Sequence, residues 1–151
     1  MAPEQAKLAD TNVLIYAVDE ASPHHLEAKH WLDGSLNSTE TVLIPWMSLL
    51  AFVRLTTHPS ISAAPLTTDQ ALSIVDRWLT SPAVEIPRAN SAVTVAMRGL
   101  LAATGRGGNL VNDAFLAAIA LEHRCEVVTF DNDFGRFPGV RWQRPAPVAT
   151  S

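Results

Sequence analysis

The chain has 151 residues, in which eleven Lys and Arg face fifteen Asp and Glu for a formal charge of −4, a size that suits one domain. With 48% hydrophobic and 17% charged residues, a chain of this length buries roughly 70% of the surface it exposes when unfolded, which excludes disorder for most of it. The single cysteine, Cys125, excludes an internal disulfide and fits a reducing compartment. No apolar run reaches the length of a membrane span and Met1 to Lys7 lacks a secretory apolar stretch, so the expectation is a cytoplasmic protein with no membrane partner. The acidic balance argues against a protein that coats nucleic acid through surplus Lys and Arg. It is compatible with a metal-dependent phosphodiesterase, because carboxylates holding a cation count as negative until the ion binds.

Short strand-sized apolar runs alternate with longer runs at helical spacing, the pattern of an α/β domain. Lys7 to Asp10 reads as a first strand running into an apolar turn and helix. Ser22-Pro23 predicts a helix N-cap and first position, with the helix ending at Gly34. Thr41 to Ile44 predicts a strand. Trp46 to Thr57 has so many apolar positions that a helix buried all round is expected. Thr67 or Thr68 caps an amphipathic helix ended by Ser81-Pro82. Val84 to Ile86 is a brief strand, Asn90 caps a helix reaching Ala103, and Gly105 suits its C-terminal end. Asn112 and Asp113 open a helix through about His123, Glu126 to Phe130 forms a strand, and Val140 to Trp142 adds an edge strand. Pro145 to Ser151 reads as a flexible tail after a single domain over 1–144.

In open α/β sheets functional groups gather beyond the carboxyl ends of the strands, and acids recur there. Asp10 follows the first strand, Asp131 and Asp133 follow the strand starting at Glu126, and Asp113 sits in the first turn of the intervening helix. Each alone has a plainer reading, Asp113 as a charge suited to the helix dipole and Asp131 or Asp133 as turn residues. Together they form a set of hard oxygen ligands without His or Cys, which points to Mg²⁺ or Mn²⁺ and to phosphoryl-ester hydrolysis.

Three segments carry a resemblance. Leu8-Ala9-Asp10-Thr11-Asn12-Val13-Leu14, Asn112-Asp113-Ala114-Phe115-Leu116-Ala117-Ala118-Ile119-Ala120 and Val127-Val128-Thr129-Phe130-Asp131-Asn132-Asp133-Phe134 resemble, in that order, the signature segments of PIN-domain nucleases, and most of all the VapC toxins of bacterial toxin–antitoxin pairs. The resemblance spans about residues 7 to 144. It implies a three-layer α/β/α PIN domain with a central, mainly parallel sheet of four or five strands. It also implies a Mg²⁺-dependent endoribonuclease, with Mn²⁺ as substitute, that cuts RNA, is neutralised by a cognate VapB-type antitoxin and forms a homodimer. Carried over residue by residue, it makes Asp10, Asp113 and Asp131 catalytic and metal-binding, with Asp133 a further metal ligand. Thr11, Asn12 and Thr129 either orient these acids through hydrogen bonds or satisfy backbone groups at the turn.

One departure stands out. The family usually places a glutamate in the helix after the second strand, and here Ser48 to Arg54 contains no acid; Leu49 is read as occupying its place. That favours one well-held cation and leaves a non-catalytic or weakly active RNA- or protein-binding PIN-like module as the alternative. A phosphatase of the haloacid-dehalogenase type is rejected, because its second acid falls on Asn12 and no lysine follows Lys29. Arg54 either faces the phosphate or packs its stem and snorkels. His24, His25, His30, His58 and His123 share no metal-binding spacing. Trp31, Trp46, Trp78 and Trp142 read as core or interface residues. Arg136, Arg141 and Arg144 form a basic stretch for RNA or an acidic tail of the antitoxin, or simply a solvated edge.

Overall fold

A computed structural model describes residues 6–105 and 107–149. β1 (Lys7–Ala9) runs directly into α1 (Thr11–Val18), with Asp10 as the N-cap between them. There follow α2 (His25–Leu36), β2 (Val42–Leu43), α3 (Trp46–Thr56), α4 (Thr68–Thr80), β3 (Val84–Glu85), α5 (Ser91–Thr104) and α6 (Leu110–Glu122). β4 (Glu126–Val128), a 3-10 turn (Asn132–Arg136) and β5 (Trp142–Gln143) complete the chain.

The strands form one sheet in the order β3-β2-β1-β4-β5, every pairing parallel. Alternation along each strand decides which side chains face which layer. Leu8, Leu43 and Val127 point to one face, where they pack with Ala117, Ile119 and Leu116 of α6 and Leu100 of α5. Ala9, Val42 and Ile44 point to the other, against Leu14, Leu32, Phe52 and Val75 of α1 to α4. The register pairs Leu8 with both Leu43 and Val127, so like faces meet like across the sheet. At the start of β1, Lys7 Nζ donates to Glu126 Oε1 at 2.6 Å, tying the two central strands at a paired position. This is the α/β/α layering with a parallel sheet that the sequence predicts, at the upper end of the expected strand number.

Several boundaries differ from expectation for local physical reasons. α2 starts at His25, not Pro23: Ser22 spends its hydroxyl on the His24 N–H and its carbonyl on the His25 N–H, closing a turn instead of capping a helix. The helix then passes through Gly34 to Leu36, where Leu36 reaches the core and Asn37 Nδ2 donates to the Asp33 carbonyl. α6 begins at Leu110, ahead of Asn112, and β4 stops at Val128. α3 is not buried all round. Leu49 and Phe52 are 1% and 0% exposed, but Trp46 and Leu50 are 51% and 62% exposed, so a wet stripe runs along the helix.

Where predictions hold, the chemistry is visible. Thr67 and Gln70 form a reciprocal capping box at the start of α4, worth on the order of 1 kcal/mol. Asn90 caps α5 through the Ala92 N–H. Gly105 ends α5 in the left-handed region at φ 68°, where a side chain would add strain. Of the C-terminal segment, Pro145 is buried and Val148 lies beside Leu26 and His30 of α2, whereas Thr150 and Ser151 lie outside the described residues.

Candidate functional site

β1 is the topological switch of the sheet: strands are added on one side of it as β2 and β3, then on the other as β4 and β5. The crevice beyond the carboxyl ends of β1 and β4 is therefore where a ligand site is expected. Asp10 follows β1 immediately, and Asp131 comes three residues after β4.

Asp10 is 6% exposed and held from three directions. Its Oδ1 accepts from the Thr11 N–H at 2.7 Å, as suits an N-cap, and its Oδ2 accepts from the Thr129 hydroxyl at 2.8 Å and from Asn12 Nδ2 at 3.4 Å. Burial pushes this carboxyl above its ordinary value against the pull of those hydrogen bonds, and the charge of Asp131 adds to the rise. Thr129, fully buried, also accepts from Asn12 Nδ2 at 3.3 Å and from the Asp131 N–H at 2.9 Å. Asn12 Oδ1 accepts from the Phe130 N–H at 3.2 Å. Thr11, Asn12 and Thr129 thus all enter the network, Thr11 through its backbone alone.

Asp113 comes from the first turn of α6, while Asp131 caps the 3-10 turn by accepting from the Asp133 N–H at 2.9 Å. Oxygen atoms of Asp113, Asp131 and Asp133 lie within 4.8 Å of one another. Loss of solvent is the first cause that raises Asp113 from 3.8 to about 7; repulsion from Asp10 and Asp131, a hydrogen bond to Asp131 and repulsion from Asp133 follow. Carboxylates crowded in this way repel unless a cation or a proton sits among them, so the donor set fits a hard divalent ion. Asp10 lies outside this closest group, and Asp133 reaches it while also pairing with Arg136 at 3.2 Å.

Asp10, Asp113 and Asp131 open into a recess of about 470 Å³ also lined by Tyr16, Met47, Ala51, Arg54, Asn109 and Asn112. This corrects the reading of Leu49. Leu49 packs in the core with Leu14 and Phe52, and the face of α3 that meets the acids carries Met47, Ala51 and Arg54, one helical repeat apart. The position from which α3 would supply an acid is therefore Ala51. Helical spacing back from Arg54 is the sequence signal that points to it, and the apolar character of the whole helix obscures it.

The remaining candidates separate. His24 stacks on Phe130 with centroids 4.6 Å apart, Tyr16 meets Phe130 edge-on at 5.3 Å, and the Arg144 guanidinium lies over the same ring. Arg136 pairs with Asp133, and Arg141 donates to the Arg124 carbonyl. Trp78 packs on Phe52 in the core and Trp46 is exposed. Burial raises the Cys125 thiol to about 11, which leaves it protonated and removes it as a nucleophile. A second, mainly apolar groove of about 390 Å³ lies beside α1, lined by Ile15, Val18, Leu55, Ile61 and Leu66 with Asp19 and Glu20 among its residues. Among the described residues no helix is long and apolar enough to cross a membrane.

The geometry agrees with the chain's likeness to known proteins. The PIN domain model matches residues 7–140. Ribonuclease VapC37 of Mycobacterium tuberculosis is 44% identical over 139 residues, covering 92% of this chain and 96% of the relative; Ribonuclease VapC33 of the same organism is 33% identical over 138 residues, covering 91% and 96%. Among solved structures, the fold matches VapBC2 from Rickettsia felis, bound to a DNA fragment from its promoter, with a TM-score of 0.69 at 21% identity, covering 93% of this chain and 98% of that one. It also matches Mycobacterium tuberculosis VapC20, a Sarcin-Ricin loop cleaving toxin, with a TM-score of 0.62 at 22% identity, covering 89% and 98%. With the acids of three distant segments meeting at the switch point of a parallel sheet, and with that extent of identity, the chain belongs to the PIN-domain family, in its VapC ribonuclease branch.

Proposed function

We propose that this protein is an endoribonuclease toxin that hydrolyses RNA phosphodiester bonds with Mg²⁺, or Mn²⁺ in its place. The observation that carries the reading is the convergence of Asp113, Asp131 and Asp133 within 4.8 Å beside the buried Asp10. These acids would hold the cation, Asp113 giving up its proton as the ion arrives. A bound divalent ion supplies activation of water and neutralisation of charge on the phosphate oxygens. Thr129, Thr11 and Asn12 fix the Asp10 carboxylate, so that its orientation does not change as charge develops in the recess. Ala51 leaves the α3 side without an acid, which supports one firmly held cation.

Its control fits the same reading. A VapB-type antitoxin segment with an apolar face and a basic side chain suits the groove of Ile15, Val18, Leu55 and Leu66 with Asp19 and Glu20 beside it. A homodimer belongs to the proposal as well, and the exposed Trp46 and Leu50 of α3 are apolar surface available to it. The reading places the protein in the cytoplasm, with its RNA.

The deciding experiment incubates purified, antitoxin-free protein with a mixed cellular RNA pool and Mg²⁺ or Mn²⁺. Discrete products that disappear with EDTA and with Asp113→Asn support the nuclease. Tight metal and RNA binding without cleavage would instead identify a non-catalytic module.

A further inference from the structure

Arg54 lines the same recess as Asp10, Asp113 and Asp131, yet among the described residues it makes no ion pair with any of them. It is exposed in the last turn of α3, where the helix dipole favours a cation. We propose that Arg54 is the phosphate-binding residue of the recess, gripping the RNA backbone beside the cleavage point. The inference rests on the nuclease reading above.

Charge and geometry both lead there. The three carboxylates that line the recess, Asp10, Asp113 and Asp131, carry three negative charges when ionised and one divalent ion returns two, while the charge of Asp133 is paired with Arg136, so an incoming phosphodiester anion still meets a negative recess. Among the described lining residues Arg54 is the one that carries a permanent positive charge. Its guanidinium presents planar paired donors that match two phosphate oxygens, and it stays charged beside any neighbour. Because no carboxylate has captured that fork, binding RNA breaks no existing ion pair. The short side chain of Ala51, one turn earlier on the same face, leaves the space between Arg54 and the acids open on the α3 side. Where α3 could have supplied a further ligand for a second cation, it supplies a fixed cation.

The test separates this role from a surface charge and from a role in metal binding. In an Asp113→Asn background, expected on the nuclease reading to suppress cleavage, binding of a labelled mixed-sequence single-stranded RNA is measured as a function of salt. Backbone contacts are sequence-independent, so this probe suffices. Arg54→Ala should weaken binding on the order of tenfold and reduce the log–log salt slope by about 0.7, the value for one lost contact on a single strand. Arg54→Lys should keep the slope and lose part of the affinity, since a point charge replaces a fork. In the otherwise unmodified protein, calorimetric Mg²⁺ or Mn²⁺ titration without RNA should show Arg54→Ala binding metal as tightly as the parent or tighter, because a positive charge has left the recess. Unchanged RNA affinity and salt slope in a folded Arg54→Ala protein overturn the proposal, as does weakened metal binding. If the parent cleaves RNA but Arg54→Ala behaves identically, only the Arg54 assignment fails; if the parent neither binds metal nor cleaves, the nuclease reading fails with it.

Discussion

The Thr129 hydroxyl donates to Asp10 Oδ2 at 2.8 Å and at the same time accepts the Asp131 N–H at 2.9 Å, so one buried side chain joins the acid after β1 to the loop after β4. Thr129→Val keeps the shape but removes both functions, leaving a buried carboxylate oxygen and a backbone donor short of partners. The expected loss is about 2–4 kcal/mol in stability by urea melts, together with a large fall in cleavage rate. Thr129→Ser should retain most of both. Equal behaviour of the two variants would show that the hydroxyl does not organise the site.

Asparagine at the acids should separate ligand from scaffold. Asp10→Asn and Asp113→Asn are both expected to abolish metal-dependent cleavage while the protein remains folded. They differ in stability. Asp10→Asn puts an amide where Thr11 N–H and the Thr129 hydroxyl donate, and should cost about 1–3 kcal/mol. Asp113→Asn removes a repelled charge and should leave metal-free stability at pH 8 unchanged or higher. Asp131→Asn should depress activity more than Asp133→Asn, because Asp131 lines the recess whereas Asp133 is 44% exposed and shares itself with Arg136. Thermal melts with and without metal, beside RNA cleavage rates, check each expectation.

Asp113 gives the metal-free protein a defined pH response. Its carboxyl is raised from 3.8 to about 7 in the folded state, so between these values the folded chain binds more protons than the unfolded one. Stability from this group is present at low pH and is lost as pH rises from about 4 through 7, the slope being set by the difference in bound protons. Cation binding should therefore strengthen with pH up to about 7 and then level, releasing close to one proton per ion at pH 6. Calorimetry in two buffers of different ionisation enthalpy measures that proton, and a pH-independent affinity would remove Asp113 as a ligand.

Two single glutamates on α3 should behave in opposite ways. Leu49→Glu buries a charge among Leu14, Ile44 and Phe52 and is expected to cost several kcal/mol, about 3 or more, or to prevent folding. Ala51→Glu adds a carboxylate at the wall of the acidic recess. It should lower stability modestly without metal and raise Mn²⁺ affinity, with a second binding event in calorimetry. Similar effects at both positions would mean that the phase of α3 is misassigned.

The acids are legible because each sits at a local transition that the chain itself marks: a strand followed by Asp10, a strand followed by Thr129-Phe130-Asp131, and the first turn of a helix at Asp113. Local signals of that kind survive without tertiary information. The α3 face was not legible, since Trp46, Met47, Leu49, Leu50, Phe52, Val53 and Leu55 leave no polar stripe to set the rotation, and only packing against β2, α1 and α4 decides that Leu49 goes inward and Ala51 toward the acids. The start of α2 failed for a related reason: Ser22-Pro23 is equally a helix start and a turn, and contacts of Tyr16 with His24 and His25 favour the turn.

Asp10 after β1 is joined to the segment after β4 by the Thr129 hydroxyl, a hydrogen bond between residues 119 positions apart, whereas the whole lining of the apolar groove beside α1 falls between Ile15 and Leu66. Synthesis from the N-terminus therefore makes the residues of the groove well before Asp113 and Asp131 exist. A half-made chain has Asp10 but not the acids of α6 and of the turn after β4 that would hold a cation with it. By the time β4 pairs with β1 and brings the acids together at the recess, every residue of that groove has already been translated.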